Sequence, residues 1–211
     1  MRTVDEANTE QKRAVVLRAA MRCFAQNGLQ KTSISDICKA AGMRSGHVYY
    51  YFPSKDAIVE AAFRIGMDDL ITHVEEMMDG EDFVSLIVDI HSKAERDRRS
   101  WDMTPGLRLE FLAESARNPR LMAIENAQDE RLVQATLRVV YKAMAAGRLD
   151  SRVDPLAFSH AIILLWSGFA LARLSDTFDL DVYRDAIKKL IAPWLISAGM
   201  VTKPASEMKP D

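Results

Sequence analysis

The placement of proline restricts the fold of this chain more than any other feature. Five of its seven prolines lie outside the C-terminal tail, at the ends of segments with helical apolar periodicity: Pro53, Pro105, Pro119, Pro155 and Pro193. Proline interrupts a helix interior but fits the first helical turn. No stretch shows the sustained period-two alternation of a strand. The sequence therefore predicts an all-α protein, with later helices at about 82–100, 105–117, 119–146, 154–175 and 181–198.

The first third of the chain divides into shorter helices separated by glycine. The first runs from about residue 8 or 9 to 27, and Gly28 ends it. Ser33 can cap the second, with Asp36 three residues later in a capping-box arrangement, and Gly42 ends it after two turns. A third helix follows within RSGHVYYYF, residues 44–52. Two short helices joined by a glycine-containing turn and braced by a longer helix form a helix-turn-helix pattern.

The run VYYYF, residues 48–52, cannot face a single core, because consecutive helical residues point in different directions. Val48 and Phe52 are four residues apart and form a plausible core pair, which leaves Tyr49 and Tyr50 off that face. Exposed tyrosines on a recognition helix offer a hydroxyl to phosphate and a flat ring to sugar or to a thymine methyl group. Core tyrosines with bonded hydroxyls are the alternative interpretation.

Further candidates for DNA contact flank these tyrosines. The start of the third helix would enter the major groove, where an arginine can bond a guanine edge and glycine permits close approach. The second and fourth helices offer hydroxyls and an ammonium group to phosphates at their first turns. The predicted DNA contacts are Thr32, Ser33, Arg44, Ser45, Gly46, His47, Tyr49, Tyr50 and Lys55.

The charge distribution is asymmetric. Residues 1–66 contain ten Lys and Arg against six Asp and Glu, a net +4, whereas residues 67–211 contain eighteen against twenty-four, a net −6; these sum to the −2 of the chain. A basic head on an acidic body favours a small polyanion-binding module attached to a larger one. The predicted division is a helix-turn-helix domain at 1–53 with a linking segment at 54–66, a larger domain at 67–200, and a flexible tail at 201–211.

Residues 12–63 resemble the DNA-binding domain of the TetR family of bacterial transcriptional regulators. The matching residues are Ala19-Ala20, Phe24, Asn27-Gly28, Thr32-Ser33-Ile34, Ile37, Ala40-Ala41-Gly42, Gly46, Val48-Tyr49-Tyr50-Tyr51-Phe52 and Ser54-Lys55-Asp56. Residues 107–121 and 147–155 are similar, more loosely, to segments of the family's effector domains. Arg44 departs from the family, which often has serine there, so base preference is not transferred; our hypothesis is that Arg44 reads a guanine.

The resemblance implies a homodimeric regulator, most simply a repressor, that binds a near-palindromic double-stranded operator and is released by a small molecule. The alternative is a helical sensor or adaptor without a specific operator. Expected effector-pocket residues are Trp101, Met103, Leu107, Glu110, Phe111, Trp166 and Phe169, with ordinary core packing as the competing interpretation of each aromatic. Expected dimer-interface residues are Leu164, Leu165, Leu190, Ile191 and Trp194.

Other chemistry is not indicated by the sequence. The four histidines have no metal-ligand spacing, and no phosphate-binding loop, dinucleotide fingerprint or nucleophile elbow is present. We therefore expect no enzymatic activity, no cofactor and no metal. Cys23 and Cys38 fall within apolar helical patterns and are expected to be buried thiols of a cytoplasmic protein. The uncharged apolar run at 161–172 is too short to span a bilayer, and no membrane association is expected.

Overall fold

A computed structural model of the chain describes residues 2–76 and 104–196. The helices in these ranges are α1 (Arg2–Asn27), α2 (Ile34–Ala41), α3 (Ser45–Tyr51), α4 (Lys55–Glu76), α5 (Pro105–Ser115), α6 (Pro119–Ala145), α7 (Pro155–Ala172) and α8 (Leu180–Ile191), with a 3-10 turn at Ala192–Trp194. The only β-pairing within the described ranges is an isolated antiparallel bridge between Leu149 and Leu195. The all-α prediction is confirmed. The helix predicted at 82–100 lies outside the described residues.

The first three helices pack into a compact head. Val48 of α3 and Phe52, the residue directly after α3, are buried together with Ile37 of α2 and Phe24 of α1, so the predicted pair does face the core. This packing fixes α3 by one face and directs its other side chains away from the head. α1 begins at Arg2, several residues before the predicted start.

The bounds of α2 follow from its two caps. The Ser33 hydroxyl accepts a hydrogen bond from the Asp36 N–H at 3.2 Å, and the Asp36 carboxylate accepts one from the Ser33 N–H at 2.9 Å, which is the predicted capping box. Gly42 ends the helix with φ +63°, a left-handed conformation that costs glycine little. Short α2 is therefore specified at both ends by its local sequence.

α4 leaves the head and lies along α6 in the body. Ion pairs join Asp68 to Arg131 and Glu75 to Arg138. The partners are seven residues apart on both helices, so α4 and α6 run in the same direction in register. Gln128 is buried between them and donates to Asp68 at 3.3 Å. Several polar contacts therefore fix α4 to the body in addition to its apolar face.

α5 packs against both of these helices. The Phe111 ring lies 5.0 Å from the Phe63 ring of α4. Arg108 forms a two-pronged ion pair with Glu125 of α6, one bond of which is 2.8 Å, and its guanidinium lies 5.3 Å from the Phe63 ring. Glu125 is buried, so this charged pair supplies the partner that a buried carboxylate needs. α5 thus lies at the junction of head and body.

The last two helices are shorter than the sequence predicted. α7 ends at Ala172 instead of 175, and α8 ends at Ile191 instead of 198. Pro193 explains the second difference, because it lacks the N–H that would continue the helix. The chain then turns back: Asp150 N–H donates to the Trp194 carbonyl at 2.9 Å, which brings the end of α8 against the loop after α6.

α7 is buried along one side only. Ser159, Ile162, Trp166 and Phe169 face the body, whereas Leu164 on the opposite side is 71 % exposed. By length and composition α7 is also the one helix of the described ranges that could cross a membrane, with a mean hydropathy of 1.6 over eighteen residues. One weakly apolar helix is not convincing as a membrane span, and its uncharged run at 161–172 is shorter than a bilayer crossing needs, as expected.

Candidate nucleic-acid interface

α3 presents most of its surface outside the head. Tyr50 is 76 % exposed and Tyr49 48 %, while Gly46 and His47 are exposed on the same outward side. Tyr51 is half-buried, and its ring meets that of Tyr50 edge-on at 5.1 Å. The aromatic run is thus divided between the core and the surface, as predicted, and Tyr49 and Tyr50 are not core tyrosines.

The beginning of α3 adds cationic and hydroxyl groups to this surface. Arg44 is the residue before the first helical turn, and its side chain is exposed and makes no capping bond. Together with Ser45 and Tyr49 it borders an open groove between α2 and α3. This groove also contains Ser35 and Lys39, which are not among the DNA contacts predicted from the sequence. The two residues are four apart on α2, so they lie on one side of the helix, and both are exposed whereas Ile37 is buried. That polar spacing could have identified them.

Gly46 is not required by the packing of the single chain. It has no left-handed φ, and a Cβ atom built there would meet no other atom within 4 Å. Glycine inside a helix lowers stability by about 0.5–1 kcal/mol relative to alanine. Open space at this point is what a close approach of another molecule to the α3 backbone would need.

The structure does not support a phosphate contact from the Thr32 side chain. Thr32 is 1 % exposed, and its hydroxyl donates to the carbonyls of Gly28 at 2.8 Å and Cys23 at 3.1 Å. This residue holds the turn before α2 in place. Ser33 is exposed, but its hydroxyl donates to Asp36 at 2.6 Å, and these bonds lower the pKa of the Asp36 carboxyl.

Lys55 lies in the first turn of α4, close to the connection between α1 and α2. Its ammonium group donates to the Gln30 carbonyl at 3.2 Å. That contact ties α4 to the turn between α1 and α2 and leaves the positive charge at the edge of the candidate interface. Lys55 therefore makes a structural hydrogen bond and is also a candidate partner for a DNA phosphate.

Of the expected effector residues that the structure describes, all but Glu110 are buried. Leu107, Phe111 and Trp166 belong to one apolar core, and Phe111 packs on Phe63 of α4. Phe169 is buried on the same side of α7 as Trp166, and its ring lies 4.4 Å from that of Tyr183. Glu110 is exposed, and its carboxylate contacts the head at Leu29. Trp101 and Met103 lie outside the described residues.

An apolar surface on α7 and α8 has no cover within the described chain. Besides Leu164 on α7, Leu190 on α8 is 59 % exposed, and Trp194 in the 3-10 turn after α8 is 46 % exposed. Leu165 is only half-buried. Ile191 differs from the expectation: it is buried inside the chain, because its position on α8 points to the core. Large apolar residues that cluster in one exposed patch are typical of a protein interface.

Two further chemical features of the described residues bear on function. No group of three or more His, Cys, Asp and Glu side chains there could hold a metal ion. Cys23 and Cys38 are free and buried, as predicted, and burial raises the pKa of the Cys23 thiol. A neutral, covered thiol is a poor nucleophile.

Two family models and several relatives match the chain. Residues 16–62 match the model described as bacterial regulatory proteins, tetR family, and residues 81–195 match BetI-type transcriptional repressor, C-terminal. HTH-type transcriptional regulator UidR of Escherichia coli K12 is 24 % identical over 185 residues, covering 87 % of this chain and 91 % of that protein. HTH-type transcriptional repressor KstR2 of Rhodococcus jostii is 35 % identical over 74 residues, covering 35 % of this chain and 36 % of that protein.

Solved structures share the fold over most of the chain. Salmonella enterica GusR superposes with a TM-score of 0.66 at 27 % identity, covering 86 % of this chain and 96 % of that one. A transcriptional regulator from Saccharomonospora viridis in complex with choline has a TM-score of 0.72 at 21 % identity, covering 89 % and 99 %.

The helix-turn-helix head with an outward recognition helix defines a DNA-binding transcriptional regulator. The chain belongs to the TetR family. The relatives named above are transcriptional regulators.

Proposed function

We propose that this chain is a ligand-responsive repressor that binds a near-palindromic operator as a homodimer and is released by a small molecule. The observation that carries the proposal is the outward face of α3, where Gly46, His47 and Tyr50 are exposed while Val48 anchors the helix in the core. Arg44 and Lys39 add positive charge beside it. This combination suits a helix inserted in the major groove with phosphate contacts on both sides.

The uncovered face of α7 and α8 supports a homodimer. Leu164, Leu190 and Trp194 are large apolar residues that the single chain leaves exposed, on α7, on α8 and in the 3-10 turn that follows α8. A second copy would bury them around a two-fold axis and so remove apolar surface from water. This interface also accounts for the apolarity of α7 without a membrane.

Release follows from two states of the dimer. In one state the recognition helices are spaced to enter successive major grooves, about 34–36 Å apart. An effector that binds the body more tightly in a state with another spacing lowers operator affinity by its differential binding energy. α4 connects the head to the body, and ion pairs hold it to α6. A movement of α6 would therefore move α4, and with it the head.

The test is anisotropy of labelled DNA from the chain's own upstream region against a scrambled duplex, at low and physiological salt. We expect selective binding that survives physiological salt, with two subunits per site or a multiple of two. Equal binding to both duplexes that disappears with salt would instead support the alternative, a sensor or adaptor of the same architecture.

Arg44 variants separate base reading from phosphate binding. If Arg44 bonds a guanine, Arg44→Ala weakens binding to the operator more than binding to the scrambled duplex. The difference in binding free energy is expected to be about 1–3 kcal/mol, the discrimination at one base pair. Arg44→Lys is the matched control because it keeps the charge but not the two-pronged geometry. Equal losses on both duplexes would make Arg44 a phosphate contact only.

Choline, which is bound in one fold neighbour, is the first small molecule to test for release of this protein from its DNA.

A further inference from the structure

The turn between α1 and α2 is bonded directly to the body by α5. The Leu29 N–H donates to the Glu110 carboxylate at 2.6 Å, and the Gln30 side-chain amide donates to Glu114 at 3.0 Å. Both acceptors lie on α5, four residues apart, so they face the same way on the helix. A backbone N–H bonded to an ionised carboxylate is stronger than a bond between neutral groups.

Gly28 makes room for the Glu110 carboxylate. It has φ +83°, and a Cβ atom there would lie 3.1 Å from both carboxylate oxygens. Any larger residue would push against Glu110 and would also be strained in this conformation. The turn and the acidic side chain are therefore fitted to each other, although 81 residues separate Leu29 from Glu110.

The same turn determines where α2 begins. The Thr32 hydroxyl donates to the Gly28 carbonyl at 2.8 Å, and the next residue, Ser33, caps α2. Lys55 at the start of α4 donates to the Gln30 carbonyl. A displacement of residues 28–30 is thus transmitted through short, bonded steps to α2, and through the packed head core to α3.

At its other contacts α5 is held by the body. Phe111 packs on Phe63, and Arg108 is paired with buried Glu125 of α6. A shift of α5 relative to α6 would move Glu110 with it. The body therefore has a connection to the head that does not pass along α4.

We propose that Glu110 is a positioning residue that couples α5 to the DNA-binding head through the Leu29 N–H. The proposal rests on the proposed operator binding, and it predicts a property that needs no effector. Because coupling free energies are reciprocal, a ligand at the head must alter α5 as much as α5 alters the head. Operator DNA should therefore change hydrogen exchange in α5.

The experiment measures amide hydrogen exchange of residues 28–31 and 105–115 in the full chain, free and bound to the selected upstream DNA. Three variants are compared with the unaltered chain: Glu110→Ala removes the acceptor, and Glu110→Gln retains a neutral acceptor. Glu114→Ala is the matched comparison, because it removes the side-chain bond to Gln30 from the same helix face and leaves the acceptor of the Leu29 N–H in place. In the free protein, Glu110→Ala should accelerate exchange of the Leu29 amide by about tenfold, because a charge-assisted hydrogen bond is lost. Glu114→Ala should leave that amide unchanged, and Glu110→Gln should restore part of its protection.

On DNA binding, the unaltered chain and Glu114→Ala should show altered exchange across 105–115, and Glu110→Ala should lose most of that response while it still binds DNA. If DNA changes hydrogen exchange in α5 equally in Glu110→Ala and in the unaltered chain, the coupling through Glu110 is overturned, and the proposed function as a regulator still stands. Unchanged exchange at Leu29 in free Glu110→Ala would overturn it without reference to DNA. If the unaltered chain shows no selective DNA binding, the proposed function fails, and the coupling to operator binding fails with it.

Discussion

The guanidinium of Arg13 donates to the Tyr51 carbonyl at 2.7 Å and lies 4.4 Å from the centre of the Phe52 ring. The carbonyl belongs to the last residue of α3, where helix carbonyls lack partners within the helix and a positive charge is favoured. Arg13 on α1 therefore holds the C-terminal end of the recognition helix. Its planar group makes the hydrogen bond and stacks on Phe52 at the same time, which a lysine cannot do.

Replacing Arg13 with lysine should weaken the position of α3 without changing the charge of the head. We expect the free energy of unfolding to fall by about 1 kcal/mol, since one part-buried charged hydrogen bond and a stacking contact are lost. Selective operator affinity should fall further than binding to scrambled DNA. Denaturant unfolding and anisotropy on the same preparation measure the two effects.

Arg22→Lys is the control for that substitution, because Arg22 is exposed on the same helix and the change conserves charge. It should leave both stability and operator affinity within error of the unaltered chain. If Arg13→Lys behaves in the same way as Arg22→Lys, the contact with Tyr51 does not position α3.

Gly46→Ala should have opposite effects on stability and on DNA binding. A Cβ atom at this position meets nothing in the chain, so alanine should raise the free energy of unfolding by about 0.5–1 kcal/mol. If the α3 backbone approaches DNA here, the added methyl group should reduce operator affinity about tenfold or more. A variant that is more stable and binds as tightly would show that DNA does not come close to Gly46. Thermal unfolding and anisotropy provide the two measurements.

Local sequence was sufficient for the parts of the head whose determinants are close together in the chain. The capping box of Ser33 and Asp36 and the pair Val48 and Phe52 depend on spacings of three and four residues, which a helix turns directly into contacts. The outward position of Tyr49 and Tyr50 followed from the same geometry.

Contacts between segments far apart in the chain could not be predicted from such spacings. Thr32 matched a family pattern of exposed DNA contacts, yet tertiary packing buries it and directs its hydroxyl to Gly28 and Cys23. Glu110 was expected beside an effector, but its position depends on how α5 meets a turn 81 residues away. Periodicity identifies which side of a helix is apolar; it does not identify the partner of an exposed acid.

Leu164→Asp should dissociate the proposed homodimer without unfolding the chain. Leu164 is largely exposed in the single chain, so its replacement leaves no cavity, whereas in a dimer it would place two unpaired carboxylates in an apolar interface. We expect a monomer by light scattering coupled to size exclusion, with helical circular dichroism retained, and loss of tight operator binding because only one half-site is read at a time.

Met122→Asp provides a comparison for that change. Met122 is also exposed and apolar, but it lies on α6, outside the surface formed by α7 and α8. It should leave the dimer intact. A dimer that survives Leu164→Asp would place the interface elsewhere on the chain.

Tyr183 should make stability depend on alkaline pH. Its hydroxyl donates to the Leu165 carbonyl at 2.9 Å, and burial raises its pKa to about 12, against about 10 for an unfolded tyrosine. Below pH about 10 the group is protonated in both states, and its contribution is complete. Between about 10 and 12 the unfolded chain releases this proton while the folded chain keeps it, so the free energy of unfolding falls as pH rises.

The measurement is urea unfolding at fixed protein concentration, from pH about 9 to about 11.5, for the unaltered chain and Tyr183→Phe. Because Tyr183 is only half-buried, we expect the part of the pH-dependent loss that is absent from Tyr183→Phe to be about 1 kcal/mol. Tyr141→Phe, at an exposed tyrosine on α6, should show the same pH profile as the unaltered chain. Parallel profiles for all three proteins would mean that the Tyr183 proton is not held by the fold.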